Sequence, residues 1–184
     1  SQHMVIRGGE TVSYHFETLA LHAGQNKDDA SPSRGVSVHR TTAYNFRDAE
    51  HAANLFGLKE LGYIYTRLQN PTQNVLEERL AALDGGAAAL ALASGTSAVY
   101  YSIINLARNG DEIVASKYLY GGTYTMFNDI LPQYGITVRL VDPLDLKEVE
   151  GAINGKTRAI FIETIGNPAL IVPDFDGLAE VARK

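Results

Sequence analysis

With 184 residues, 45% of them hydrophobic, the chain is long enough to bury the core of one domain. A net charge of −5 and the lack of any Lys/Arg-rich run exclude a nucleic-acid footprint, and no apolar run nears the roughly 20 residues of a membrane span. The absence of cysteine excludes disulfides and thiolate metal sites and suits a reducing cytoplasm, while the five histidines (His3, His15, His22, His39, His51) lack metal-ligand spacing.

In chain order, Ser-Gln-His-Met at 1–4 reads as a cloning remnant, and nothing resembles a signal peptide. Residues 5–47 show little periodicity and include the turn-rich "NKDDASPSRG", which predicts an extended arm laid on a partner subunit. "DAEHAANLFGL" (48–58) predicts a short helix with Ala49, Ala52, Ala53 and Phe56 on one face. A strong helix follows, capped by Asn70 and opened by Pro71, with Leu76, Leu80 and Leu83 on its apolar face and Gly85-Gly86 at its end. "AAALALAS" (87–94) fits a buried strand, although its alanines equally allow a helix. Gly95-Thr96 makes a turn into a helix that closes at Gly110. Strands are predicted at 112–116, 137–141 and 157–164. Between and after them come helices at 123–131, from the Asp145/Glu148 capping box to Ile153, and over "FDGLAEVARK". Strands alternating with helices call for an α/β fold: a mostly parallel sheet covered on both faces, in three layers.

Four features gather at strand ends, where open parallel sheets bind ligands. In "LASGTSAVYYS" a strand, the Gly95-Thr96 turn and a helix start leave several backbone N–H groups facing one spot, which is an anion site or an ordinary capped turn. Tyr120 of "YLYGGTYTMF" can stack a flat ligand or pack on a neighbouring helix, and the glycines after it leave room. "ETIGNP" presents Glu163 and Asn167. "GYIYTRLQNPT" sets Tyr65 and Arg67 two residues apart, on one face if the segment is extended. That pair is an anion grip or a surface arginine shielding a tyrosine ring. "GAINGKT" (151–157) falls one residue short of a P-loop and runs from helix to strand, and no G-x-G-x-x-G occurs. A nucleotide hydrolase is therefore disfavoured.

Together, "FETLALHAGQ", "HAANLFGL", "GYIYTRLQNPT", "LASGTSA", "YLYGGT" and "ETIGNP" arrive in the order and rough spacing of the Cys/Met-metabolism family of pyridoxal-phosphate enzymes. The chain resembles that family from about Phe16 onward. The resemblance implies the aspartate-aminotransferase-like large domain (fold type I), with residues 59–184 as its first part and 5–58 as an N-terminal arm and short helix. It implies pyridoxal 5'-phosphate as cofactor, held by Tyr65 and Arg67 reaching across a subunit interface and by the Gly95 and Thr96 N–H groups. It further implies that Tyr120 stacks on the pyridine and assists proton transfer, that Asn167 lies near the phenolic oxygen, and that Glu163 gives support.

"ETLALHAGQ" with "HAANLFGL" is most similar to the members that exchange the acetate of O-acetylhomoserine for sulfide in methionine biosynthesis. Sister γ-lyase and γ-synthase reactions are the nearest alternative, and a non-catalytic cofactor-binding fragment is the alternative of another class. The resemblance further implies a small amino-acid substrate, self-association as dimer or tetramer, and a cytoplasmic location. Family members are about twice as long, and the part beyond this chain holds the lysine that carries the cofactor as a Schiff base. None of Lys27, Lys59, Lys117, Lys147, Lys156 and Lys184 has its context, so the chain reads as an N-terminal half that is inactive alone.

Overall fold

The pentapeptide EIVAS forms β3 (Glu112–Ser116), and all five of its residues are buried. A strand buried on both faces needs apolar side chains at successive positions, which Ile113, Val114 and Ala115 supply. The computed structural model describes residues 3–7, 10–25 and 33–184 of the protein. Lys27, most of "NKDDASPSRG" and the first two residues of the presumed cloning remnant lie outside these. The chain divides into two compact units, Ser1–Ala91 and Leu92–Lys184.

In the second unit β3 is the centre of a parallel sheet of order β4-β3-β5, flanked by β4 (Thr137–Val141) and β5 (Thr157–Phe161). Pleating sends Ile113 and Ala115 to one face and Val114 to the other. On the first face they meet Ile103 and Ala107 at the end of α4 (Gly95–Leu106). Leu119, Met126, Phe127 and Leu131 join them from the segment spanning α5 (Gly121–Thr125), a π-helical turn (Met126–Ile130) and a 3₁₀ turn (Leu131–Tyr134). Phe127 is fully buried and meets Phe161 edge to face at 5.0 Å. On the other face Val114 and Val141 pack against Val149 of α6 (Leu146–Ala152) and against Leu178 and Val181 of α7 (Phe175–Arg183). The result is three layers, helix–sheet–helix.

At the amino edge of the sheet, Glu112 accepts from Arg139 Nε at 2.6 Å and from Asn154 Nδ2 at 2.7 Å. Beside it Arg158 Nε binds Asp111 at 2.9 Å. The predicted capping box is half formed: Asp145 accepts from the Lys147 and Glu148 N–H groups. Glu148 reaches back past it to the Asp142 N–H, at 3.2 Å, because the Asp145 N–H is already bonded to the Asp142 carbonyl.

The first unit contains an antiparallel pair, β1 (His3–Arg7) and β2 (Glu10–Tyr14), then α1 (Phe16–His22), α2 (Ala49–Phe56) and α3 (Pro71–Asp84). The stretch read as an arm thus holds regular structure, including His3 and Met4 of the presumed remnant. Helix α1 packs on α3, and Arg79 Nε donates to the Ala23 carbonyl at 2.9 Å. Gly24, at φ +75°, closes α1 so near to α3 that a Cβ would stand 2.6 Å from the Val75 carbonyl oxygen.

Residues 37–39 are tied to the start of α3. The His39 N–H donates to Thr72 Oγ1 at 2.9 Å, Thr72 Oγ1 donates to the Ser37 carbonyl at 2.8 Å, and Asn70 Nδ2 donates to the His39 carbonyl at 3.0 Å. Side chains thereby satisfy a backbone that has no ladder of its own.

Three expectations are corrected. Residues 87–94 form no strand: no neighbouring strand pairs with them among the described residues, and alanine offers little to a pleated surface. Glu77 instead accepts the Ala91 N–H at 2.8 Å. The leucine stripe of α3 is not its buried face, since Leu76 and Leu80 are 49% and 45% exposed while Ala81 is buried. In α2 the buried residue is Leu55, not the alanine face, and Phe56 is exposed.

Candidate functional site

The chain leaves β3 onto one face of the sheet, through α5, whereas it leaves β4 and β5 onto the opposite face, through α6 and α7. Connections that diverge from adjacent strands open a crevice beyond their carboxyl ends. Tyr120 lies on the β3 connection at this divergence and is 53% exposed.

Both flanking strands hold the segment 117–120 in place. From the β4 side, the Lys117 N–H donates to the Val141 carbonyl at 2.9 Å. Asp142 pairs with Lys117 Nζ at 2.9 Å and accepts from the Tyr118 hydroxyl at 3.1 Å. From the β5 side, both carboxylate oxygens of Glu163 accept the Tyr120 N–H, at 3.0 and 3.1 Å. Gly166 fits so closely that a Cβ would come 2.9 Å from the Tyr118 carbonyl oxygen. The Leu144 N–H, then Lys117, hold the Asp142 carboxyl below its ordinary range. Asp142 in turn raises the Lys117 ammonium, which stays protonated and poorly nucleophilic.

The other candidates in this unit surround the same sheet. Ser94 caps α4, accepting the Ser97 N–H at 3.1 Å. The Gly95 and Thr96 N–H groups have no acceptor among the described residues. Nothing lies within 4 Å of where a Gly95 Cβ would stand. Free N–H donors at the start of a twelve-residue helix suit an anion. Helix α4 also touches α5 and β5. Asn167 is exposed in a loop closed by the Gly166 N–H on the Ile171 carbonyl at 2.8 Å, and its side chain makes no hydrogen bond among the described residues.

Tyr65 and Arg67 belong to the first unit. Tyr65 bridges Ala43 in a short antiparallel contact, and Phe56 meets its ring edge on at 6.3 Å. The chain then turns, with the Leu68 and Gln69 N–H groups on the Tyr65 carbonyl. The extended-strand alternation expected for this pair therefore stops at Tyr65. Arg67 is exposed and makes no ion pair among the described residues, which leaves its guanidinium available. Sequence reasoning missed Asp142 and Gly166; the signal was present, since Asp142 directly follows β4 at its carboxyl end.

The residues fit pyridoxal phosphate: the α4 start offers unbonded N–H donors for a phosphate, and the exposed ring of Tyr120 offers an aromatic surface for a flat ligand. The profile of the family described as Cys/Met metabolism PLP-dependent enzyme matches residues 17–184. The chain is 52% identical over 170 residues to a homocysteine synthase of Schizosaccharomyces pombe, covering 92% of this chain and 40% of that protein. It is 50% identical over 183 residues to an O-acetyl-L-homoserine sulfhydrylase of Leptospira meyeri, covering 98% and 41%. Among solved structures, an O-acetylhomoserine (thiol)-lyase of Campylobacter jejuni carrying a pyridoxyl-lysine monophosphate superposes with a TM-score of 0.85 at 42% identity, over 92% of this chain and 42% of that one. The chain thus spans about 40% of the length of its curated relatives.

Proposed function

Because the chain belongs to the Cys/Met-metabolism PLP-dependent enzymes, we propose that it forms part of an enzyme that replaces the acetate of O-acetyl-L-homoserine with sulfide, yielding L-homocysteine and acetate in the cytoplasm. The observation that carries this reading is the exposed Tyr120 at the divergence of the sheet, its N–H held by Glu163 beyond β5 and the two residues Lys117 and Tyr118 before it held by Asp142 beyond β4. Its support from relatives is the roughly 50% identity to homocysteine synthase and O-acetyl-L-homoserine sulfhydrylase.

When bound, pyridoxal phosphate supplies the electron sink for the substrate's carbon chain. The chain's own residues bind and orient. The Gly95 and Thr96 N–H groups hold the phosphate, and Arg67 with Tyr65 grips that of a neighbouring subunit, a planar guanidinium being suited to two phosphate oxygens at once. Tyr120 fixes the ring's tilt, which decides the bond that breaks, and assists proton transfer. Asn167 would serve as a hydrogen-bond partner for the ring's phenolic oxygen. A grip in trans requires at least a dimer. Lys117 is engaged by Asp142, so covalent attachment of the cofactor is assigned to the part of the relatives' length outside this chain.

Assaying the enzyme that contains this chain with O-acetylhomoserine plus sulfide, against methionine and cystathionine, tests the reading. Homocysteine formation at the highest kcat/KM supports it. Faster cleavage of methionine or cystathionine moves the assignment to a sister reaction. No turnover of any of them with pyridoxal phosphate present removes it.

A further inference from the structure

The carboxyl end of β3 is gripped on both flanks by an acidic side chain from the next strand. We propose that Glu163 and Asp142 are positioning residues for Tyr120, a two-sided brace that sets the ring's angle to a bound pyridoxal group; this rests on the function proposed above. The amide that Glu163 holds belongs to Tyr120 itself, with both carboxylate oxygens on a single N–H at 3.0 and 3.1 Å. Asp142 acts two and three residues upstream. It takes Lys117 Nζ at 2.9 Å and the Tyr118 hydroxyl at 3.1 Å, while Lys117 Nζ lies 5.1 Å from the centre of the Tyr118 ring.

The two anchors come from strands that do not pair with each other, since β3 lies between them. Residues 117–120 are therefore stretched between two fixed points, so the Tyr120 backbone cannot rotate without breaking charge-assisted hydrogen bonds. The exposed ring rests on Gly122, and the rotamers open to it are limited by its backbone. Glu163 thus serves the site through Tyr120 and needs no contact with the ligand.

The direct readout is the ¹⁵N–¹H signal of Tyr120 in the protein without cofactor. In the wild type it carries the downfield proton shift of an amide bonded to a carboxylate, which is lost in Glu163→Ala and largely kept in Glu163→Gln. The second readout is the cofactor's visible circular dichroism, which reports ring tilt, together with its dissociation constant in the loaded enzyme. Glu163→Ala is expected to weaken binding by about tenfold, the scale of one charge-assisted hydrogen bond, and to reduce the dichroic band. Glu163→Gln keeps an acceptor oxygen and restores most of both. Asp142→Ala moves both readouts in the direction of Glu163→Ala.

An unchanged band and affinity in Glu163→Ala overturn the brace, as does a Tyr120 amide signal that does not move in Glu163→Ala. Glu163→Gln as defective as Glu163→Ala also overturns it, because charge rather than the hydrogen bond would then be acting. A wild-type enzyme that binds no pyridoxal phosphate removes the proposed function, and the brace with it; wild-type binding with unaffected variants removes the brace alone.

Discussion

Gly122 lies against the ring of Tyr120: a Cβ at position 122 would stand 2.7 Å from the ring's Cε1. The ring's resting place thus depends on the absence of a side chain two residues later. Gly122→Ala should displace the Tyr120 ring while leaving the fold intact, since position 122 is helical and alanine favours helix. The expected result is cofactor affinity lowered by about threefold to tenfold, scaled to one aromatic contact, with Tm unchanged or slightly raised. Fluorescence titration with pyridoxal phosphate beside a thermal melt measures both. A large fall in Tm would mean that Gly122 serves the fold instead.

Arg67 is exposed and unpaired among the described residues, so its replacement should cost binding and not stability. Arg67→Lys keeps the charge and loses the planar fork. We expect cofactor affinity to drop by about tenfold or more, the equivalent of roughly 1.5–3 kcal/mol for a hydrogen bond to a charged group. Thermal stability without cofactor should stay within about 0.5 kcal/mol of the parent, as is usual for surface changes. Mixing Arg67→Ala with a variant defective at Gly95 should restore some intact sites if the grip acts between subunits.

Glu112 predicts an acid limb in stability. Hydrogen bonds from Arg139, then Asn154, lower its carboxyl from 4.5 to about 2. A group depressed on folding stabilises the native state above its unfolded pKa. Its contribution is therefore complete above pH 4.5 and is lost as pH falls toward 2. Glu112→Gln should flatten the stability profile in that window and lower stability at neutral pH. Urea melts at a series of pH values test this, and an unchanged slope between those pH values would refute it.

Phe127 fills the α4–α5 side of the sheet with no exposed surface. Phe127→Ala should destabilise by about 3–5 kcal/mol, from lost transfer energy plus the cavity left behind. Phe127→Leu should cost less, because it retains most of the volume. Chemical denaturation gives both values.

Much of this architecture was legible along the chain, and what was hidden shares a cause. Strands β3 and β4 and the caps Asn70, Ser94 and Asp145 follow from local chemistry: apolar runs between turns, and short polar side chains ahead of helices. The motif "YLYGGT" placed Tyr120 beyond a strand end, where it is found. Residues 87–94 misled because an apolar alanine run states no preference, and a strand exists only where another pairs with it. The Leu76 and Leu80 stripe misled because periodicity reports a greasy face without naming its partner. The Asp142 and Glu163 contacts were invisible for a further reason: they join positions 24 and 43 residues apart, which only the order of the strands brings together.

Among the described residues β4 and β5 each pair with β3 alone, and they carry Arg139 at the middle of β4 and Arg158 near the start of β5. An unpaired strand rim is a template on which a stranger's chain can add itself, and an embedded cation is a common deterrent. Both guanidinium groups are fixed by carboxylates of the middle strand or the residue before it. Neutralising the pair should therefore invite cross-molecule ribbons, visible as turbidity and thioflavin uptake in concentrated samples. The ion pairs at this rim would then guard colloidal behaviour at the end of the molecule remote from its chemistry.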